Sequence, residues 1–507
     1  MTKYIKIIKR SILDCRTISQ LSFCLLLLCT GCGDSLWNNP YPNQDSAKNI
    51  HYDSFSERPK HLDPVSSYSS NEYVFLGQIY EPPLQYHFLK RPYELIPLTA
   101  AVLPKPRFFD KDGQLLKEGS NLEDIYRVKY KISIKPDILY QPHPAFAKSE
   151  SGKYLYHDLN TKKLSNINAL SDFNMVGTRK LLAKDYVYQI KRMAHPRTHS
   201  PISGLMAKYI LGLNEFAEKL SKIEKDNPGL SFIDLNDYEL PGVRVIDDTT
   251  FEIILSQKYP QFLYWLSMSF FAPMPWEADY FYSQEGMTDK NITLDWYPVG
   301  TGPFMLSENN PNLRMVLERN PNFRGEMFPT EGERGDRESG LLDDAGKKMP
   351  FIDKAIYSLE KESIPAWNKF LQGYYDTSGI VSDSFDQAVQ FDLQGDAELT
   401  SEMQAKGIRL LTAVTTSTSY VGFNMEDEVI GGDTKRARLL RRAISIAVDY
   451  EEYISIFANG RGKPAQGPIP PGIFGNVQGI RGIKGEPGEI NVNIKWDQEN
   501  VMKINNS

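Results

Sequence analysis

"YPVGTGPFMLSENNPNLRMVLERNPNF", residues Tyr297 to Phe323, is the stretch on which the fold turns. Gly300, Thr301, Gly302 and Pro303 place two glycines and a proline in four positions, the composition of a tight turn at a close backbone approach. The segment MVLERN (Met315 to Asn320) reads as a strand. The turn begins like a dinucleotide fingerprint, but Pro303 and Met305 stand where that pattern needs a free position and then a glycine, so it predicts structure and not a phosphate cradle.

Outward from this stretch the chain alternates strands and helices. "NEYVFLGQIYEPPLQY" has Val74, Phe75, Ile79 and Tyr80 at helical spacing and stops at Pro82-Pro83. "IYRVKYKIS" (Ile125 to Ser133) alternates Tyr126, Val128, Tyr130 and Ile132 with Arg127, Lys129 and Lys131, which marks a half-buried strand. Gly242 to Ser256 reads as a hairpin around Asp247-Asp248. Ala183 to Ala194 is predicted helical, with Tyr186, Val187, Ile190 and Met193 on one face. Arg436 to Gly460 is predicted helical too, ending at a glycine. Thr330 to Lys348, dense in charge and Gly, is expected to be a mobile surface loop. Without one regular βαβ repeat, the pattern points to α/β lobes with interrupted connectivity.

The N-terminus carries an address. Lys3, Lys6, Lys9, Arg10 and Arg16 precede the short apolar run Phe23 to Cys29, which is too short to span a bilayer and so reads as the h-region of a signal peptide. Cys29, Thr30, Gly31 and Cys32 resemble the lipobox of bacterial lipoproteins, which implies cleavage after Gly31 and a lipid-modified Cys32. All four cysteines, Cys15, Cys24, Cys29 and Cys32, lie at or before that point, so the remaining chain is expected to fold without disulfides on a large core. Removing the basic leader leaves a chain more acidic than the overall −6, which argues against a nucleic-acid partner.

No motif announces an enzyme. The seven histidines offer only His195 and His199 at the i, i+4 spacing, with Pro196 between them, so a loop is expected there and no metal. The sequence has no GxSxG elbow and no Walker A loop, and no cofactor is expected.

Several segments, in order, resemble the extracytoplasmic solute-binding proteins of family 5, the oligopeptide-, dipeptide- and nickel-binding lipoproteins of ABC importers. They are "HLDPVSSYSSNEYVFLGQIYEPPLQY", "LLAKDYVYQIKRMAHP", "VRVIDDTTFEIILSQKYPQFLYWLS", the opening stretch quoted above, "MPFIDKAIYSLEKE", "FLQGYYDTSG", "SYVGFN" and "RRAISIAVDYEEYI". The resemblance implies a two-lobed periplasmic-binding-protein fold of type II, α/β, in its large class with an extra subdomain. It divides the chain into a signal peptide at 1–31, a tether at 32–52, lobe I at 53–66 and 298–418, the extra subdomain at 67–297 and lobe II at 419–507. It implies oligopeptides as ligands, held by backbone hydrogen bonds, and delivery to membrane permease subunits by a monomeric, lipid-anchored binding protein on the periplasmic or extracellular face. Carried over by position, Tyr68, Ser69 and Ser70, after Leu62-Asp63-Pro64, would face the ligand, as would the lobe-crossing Ser419, Tyr420 and Asn424. Relatives continue beyond "GPIPPGIFGNV", so the resemblance also implies a second lobe that is incomplete in this chain, without the acidic residue that pairs with a peptide's ammonium group. The alternatives to a peptide-binding importer component are a truncated or split fragment that does not bind, and a lipid-anchored surface hydrolase.

Overall fold

The computed structural model describes residues 40–42, 45, 48–117, 119–391, 397–413, 415–465, 467–473 and 475–477. Cys32, the expected signal peptide at 1–31, most of the expected tether and the segment beyond 477 lie outside the described residues. Two four-stranded sheets carry the architecture. The first consists of β1 (Ile50–Phe55), β6 (Phe304–Asn310), β7 (Arg314–Arg319) and β8 (Lys354–Leu359), in the order β1-β8-β7-β6. Strand β1 runs parallel to β8, from Ile50 opposite Lys354 to Phe55 opposite Leu359, and the other pairs are antiparallel. The second sheet holds β2 (Pro106–Phe109), β3 (Arg127–Ser133), β4 (Val243–Asp247) and β5 (Thr250–Leu255), antiparallel throughout in the order β2-β3-β5-β4.

The period-two reading holds within β3, where Val128, Tyr130 and Ile132 are buried, but Tyr126, expected on the same face, precedes the strand and is exposed. The hairpin is present as β4 and β5, and Asp247 makes its turn by accepting the N–H and hydroxyl of Thr249.

The opening stretch is a docking element. Helix α1 (Ser70–Ile79) ends against it, and the Gly302 N–H donates to the Ile79 carbonyl at 2.8 Å. A Cβ on Gly300 would sit 1.9 Å from that carbonyl oxygen, so the position excludes every side chain for want of space. Thr301 donates to Glu81, which also pairs with Arg324. The Asn-Pro-Asn that ends the quoted stretch closes the unit: Asn320 donates its side-chain amide to the Gly302 carbonyl and its N–H to the Pro303 carbonyl, and Asn322 reaches the Tyr140 carbonyl.

Helix α2 (Ala183–Arg192) departs from its one-faced expectation. Besides Tyr186, Val187 and Ile190 it buries Asp185, Gln189, Lys191 and Arg192, and each of these has a partner. Asp185 meets Arg179 through both oxygens, Gln189 donates to the Phe270 carbonyl, and Lys191 donates to the Leu235 carbonyl, which follows helix α3 (Leu213–Asp226) in the chain. Pairing at both ends lets a helix with charged residues sit inside the protein.

One apolar core runs through both sheets, from Leu62 to Tyr357. A smaller core follows β8: Trp367 and Phe370 of α4 (Ser363–Leu371) pack with Tyr375, Phe385, Ala388, Val389, Leu399 and Met403. The stretch Arg436 to Gly460 is not one helix but two, α5 (Lys435–Ala447) and α6 (Tyr450–Ala458). The break comes at Asp449, whose carboxylate accepts the Glu452 N–H and so caps a new helix instead of continuing the old one. Thr330 to Lys347 is a surface loop of successive turns, closed by the pairing of Lys348 with Met327 and tied to residues 90 and 91, where Lys90 donates to the Gly332 carbonyl and the Arg91 N–H to Glu333. No helix among the described residues is long and apolar enough to cross a membrane.

Gly300→Ala is expected to cost roughly 3 kcal/mol of stability or more, because the new methyl must displace backbone. Gly204→Ala, at a helical position open within 4 Å, is expected to be near neutral; paired denaturant melts of the two variants make the comparison.

Candidate functional site

The loop that the sequence nominates is built around one carboxylate. Glu72, in the first turn of α1, accepts the N–H groups of Lys60, His61, Tyr68 and Ser69 and the hydroxyl of Ser67. Burial alone would raise its pKa, but the hydrogen bonds from Ser67, Ser69 and the His61 backbone outweigh burial and pull it down to about 2. Below the loop, Asp63 takes both ends of the buried Arg192 guanidinium at 3.0 and 2.7 Å, and Arg192 also reaches Asp279. Asp295 accepts the N–H groups of Leu62 and Asp63, and burial, with Asp63 nearby, pushes its pKa up. The loop backbone is thereby fixed from below, and Tyr68 projects from it with 73 % of its surface exposed and its ring against Phe270. Ser69 and Ser70 are exposed beside it.

A second feature lies at the carboxyl ends of the parallel strands β1 and β8. A cleft of about 730 Å³ is lined on one side by Asp53 and Ser54 of β1, and on the other by Ser363, Ile364 and Ala366 at the start of α4 and by residues 377–383. In open α/β sheets this is where ligands enter, because loops and helix N-termini converge there. The second wall belongs to the elements of the small core. It is steadied by Arg461, whose guanidinium donates to the Ile380 carbonyl and lies over the Phe385 ring.

At the root of the cleft the walls are joined. The Tyr52 N–H donates to the Asp376 carboxylate at 2.7 Å and the Asp376 N–H to the Tyr52 carbonyl at 2.8 Å. His51 stands between Asp53 and Asp376 at 3.6 and 3.5 Å. Tyr41 stacks on Tyr52 with ring centres 3.7 Å apart and donates to the Tyr374 carbonyl.

Ser419, Tyr420 and Asn424 lie on an extended stretch without regular structure. Tyr420 is 87 % exposed, and Asn424 makes local bonds, its side chain accepting the Glu426 N–H and its carbonyl the Asp427 N–H. No hydrogen bond or ring contact among the described residues joins this trio to Tyr68, Ser69 and Ser70, and neither set lines the cleft. The cleft residues escaped the sequence reading because they are ordinary Ser, Thr, Gly, Asp and small or branched apolar residues drawn from three separate segments. His195 and His199 flank a short turn, where the His195 ring accepts the Arg197 N–H. Among the described residues no three His, Cys, Asp or Glu side chains gather so as to hold a metal ion.

A family model described as bacterial extracellular solute-binding proteins, family 5 middle, matches residues 177–486. The dipeptide-binding protein of Escherichia coli K12 is 21 % identical over 319 residues, which are 63 % of this chain and 48 % of that protein. The periplasmic oligopeptide-binding protein OppA of the same organism is 27 % identical over 207 residues, 41 % of this chain and 33 % of that protein. The matches thus span less than half the length of these relatives. Among solved structures, the ABC transporter-associated periplasmic binding protein DppA from Helicobacter pylori, in complex with peptide STSA, aligns with a TM-score of 0.51 at 15 % identity, over 91 % of this chain and 67 % of that one. The likeness establishes the fold as the α/β fold of periplasmic solute-binding proteins.

Because the Glu72 carboxylate is held well below its ordinary 4.5, its contribution to stability is complete above that pH and fades as the pH falls from 4.5 towards 2. Glu72→Gln should therefore be less stable than the native chain by roughly 2–3 kcal/mol near neutrality, a gap that closes through this acid window in denaturant melts run at stepped pH.

Proposed function

The chain belongs to the bacterial extracellular solute-binding proteins of family 5, a family with a two-lobed type II fold, and from that membership we propose that it is the substrate-binding component of an ABC importer. In this reading it is a binding protein and not an enzyme; it captures oligopeptides outside the cytoplasmic membrane and hands them to permease subunits. The observation that carries the reading is the cleft at the carboxyl ends of β1 and β8, with one wall on the main sheet and the other on the elements of the small core. Its lining of Ser54, Ser363, Thr377, Ser378, Gly379 and Ser382 offers hydroxyl and backbone groups, which bond a ligand's main chain without choosing among side chains. The relatives named for dipeptides and oligopeptides, and the neighbour with a bound tetrapeptide, support the same class of ligand.

Tyr68, Ser69, Ser70, Ser419, Tyr420 and Asn424 stay in the proposal as residues that would meet the ligand as the two lobes close. The domain limits read from the sequence remain part of it too. So does the lipid anchor at Cys32, which would hold the protein to a cell membrane on its periplasmic or extracellular face.

Two measurements test this. Thermal unfolding of the full chain with a mixed library of short peptides should show a rise, since a ligand at about 100 times its Kd adds roughly 2.7 kcal/mol to the native state, and mass spectrometry should recover bound peptides. A cooperative transition that no peptide moves would reject the function. Metabolic labelling with palmitate should mark the native chain and not Cys32→Ser; equal labelling, or none in either, would reject the anchor.

A further inference from the structure

We propose that His51 is a proton-operated tie between the two walls of the cleft, drawing Asp53 and Asp376 together when charged and slackening the junction when neutral. The placement carries the inference. Asp53 is itself a lining residue of the β1 wall, and Asp376 immediately precedes Thr377, where the opposite wall begins. The imidazole reaches one with each ring nitrogen, Nε2 to Asp53 at 3.6 Å and Nδ1 to Asp376 at 3.5 Å. A neutral ring donates from one nitrogen and not both, so it can serve one carboxylate at a time, whereas the imidazolium serves both.

The groups around His51 act in one direction. Strand β1 contributes Asp53, the segment after α4 contributes Asp376, and β8 contributes the ring of Tyr357, edge-on at 6.4 Å. Tyr41, Asp45, Tyr374 and the Asp376 carboxylate gather around Tyr52, the next residue along the strand, whose side chain points to the opposite face. The nearby Asp53 carboxylate is the largest influence and raises the His51 pKa above 6.5; partial burial opposes it, and Asp376 adds to the rise. The sign follows from that direction. The charged tie is complete below pH 6.5 and is lost as the pH climbs through the raised folded value. Once the ring is neutral, the carboxylates of Asp53 and Asp376 face each other without a cation between them. Their repulsion then works on the two Tyr52–Asp376 hydrogen bonds that remain.

The device concerns the walls alone, so it holds whatever solute the cleft takes, and its failure would leave the peptide reading untouched. The test is amide hydrogen exchange of the full chain, read over residues 50–55 and 374–383 and corrected for the intrinsic rate at each pH. The native chain should lose protection roughly three- to tenfold in these segments between about pH 6 and about pH 9, while His51→Gln shows low protection with no such step. A step of equal size in both proteins, or no step in the native chain, overturns the proposal. Should His51→Gln fail to fold, the ring of His51 is followed by NMR in the native chain and in Asp376→Asn. A midpoint above 6.5 that drops in Asp376→Asn supports the tie, and a midpoint at or below 6.5 in the native chain overturns it.

Discussion

The contact between the Ile79 carbonyl and the backbone at Gly300 and Gly302 sets the terms for much of the molecule. It is a place where two stretches of main chain, more than 200 residues apart, meet with no room for a Cβ. Helix α1 ends there, and its other end begins the loop that bears Tyr68. The same turn leads into β6 and hence into the sheet whose carboxyl edge opens the cleft. A shift at this contact would move the loop and the sheet relative to each other. Thr301, Glu81, Arg324 and Asn320 surround it with hydrogen bonds, so the approach is held by direction as well as by shape.

A second layer of control is electrostatic. Asp63 with Arg192, Asp185 with Arg179, and Glu72 with its four N–H groups are charges taken out of water and met by partners placed to satisfy them. Such pairs add little net stability over apolar packing, since desolvation offsets most of their attraction. Their value here is selection, because an alternative packing of α2 or of the 60–70 loop would strand a buried charge. The loop thereby acquires a defined backbone while its outward side chains stay exposed.

The elements that the sequence disclosed are those governed by local rules. Alternation in 127–133, the double proline after α1 and the glycine-proline turn at 300–303 each act within a few residues, and the structure follows them. What stayed hidden depends on distance along the chain. Nothing near Arg192 announces Asp63, 129 residues away. The single helix expected over 436–460 broke because an aspartate used its carboxylate locally, a choice that helical periodicity does not register. Tyr68 was nominated by resemblance, and its exposure on a loop fixed by Glu72 owes nothing to any local periodicity. Ser419, Tyr420 and Asn424 were nominated in the same way, and their meeting with Tyr68 depends on how distant segments come together. The cleft itself is assembled from residues 53–54, 363–366 and 377–383 and has no signature of its own.

The stacking of Tyr41 on Tyr52 has a mechanical meaning. The chain preceding β1 is clamped by that stack and by the hydroxyl that reaches Tyr374. Tyr52 is the residue whose backbone pairs with Asp376. Tension applied to residues before Tyr41 would thus be delivered to the root of the cleft and not dissipated in a loose leader. A pull on the chain before Tyr41 would load the same few bonds that hold the two walls together.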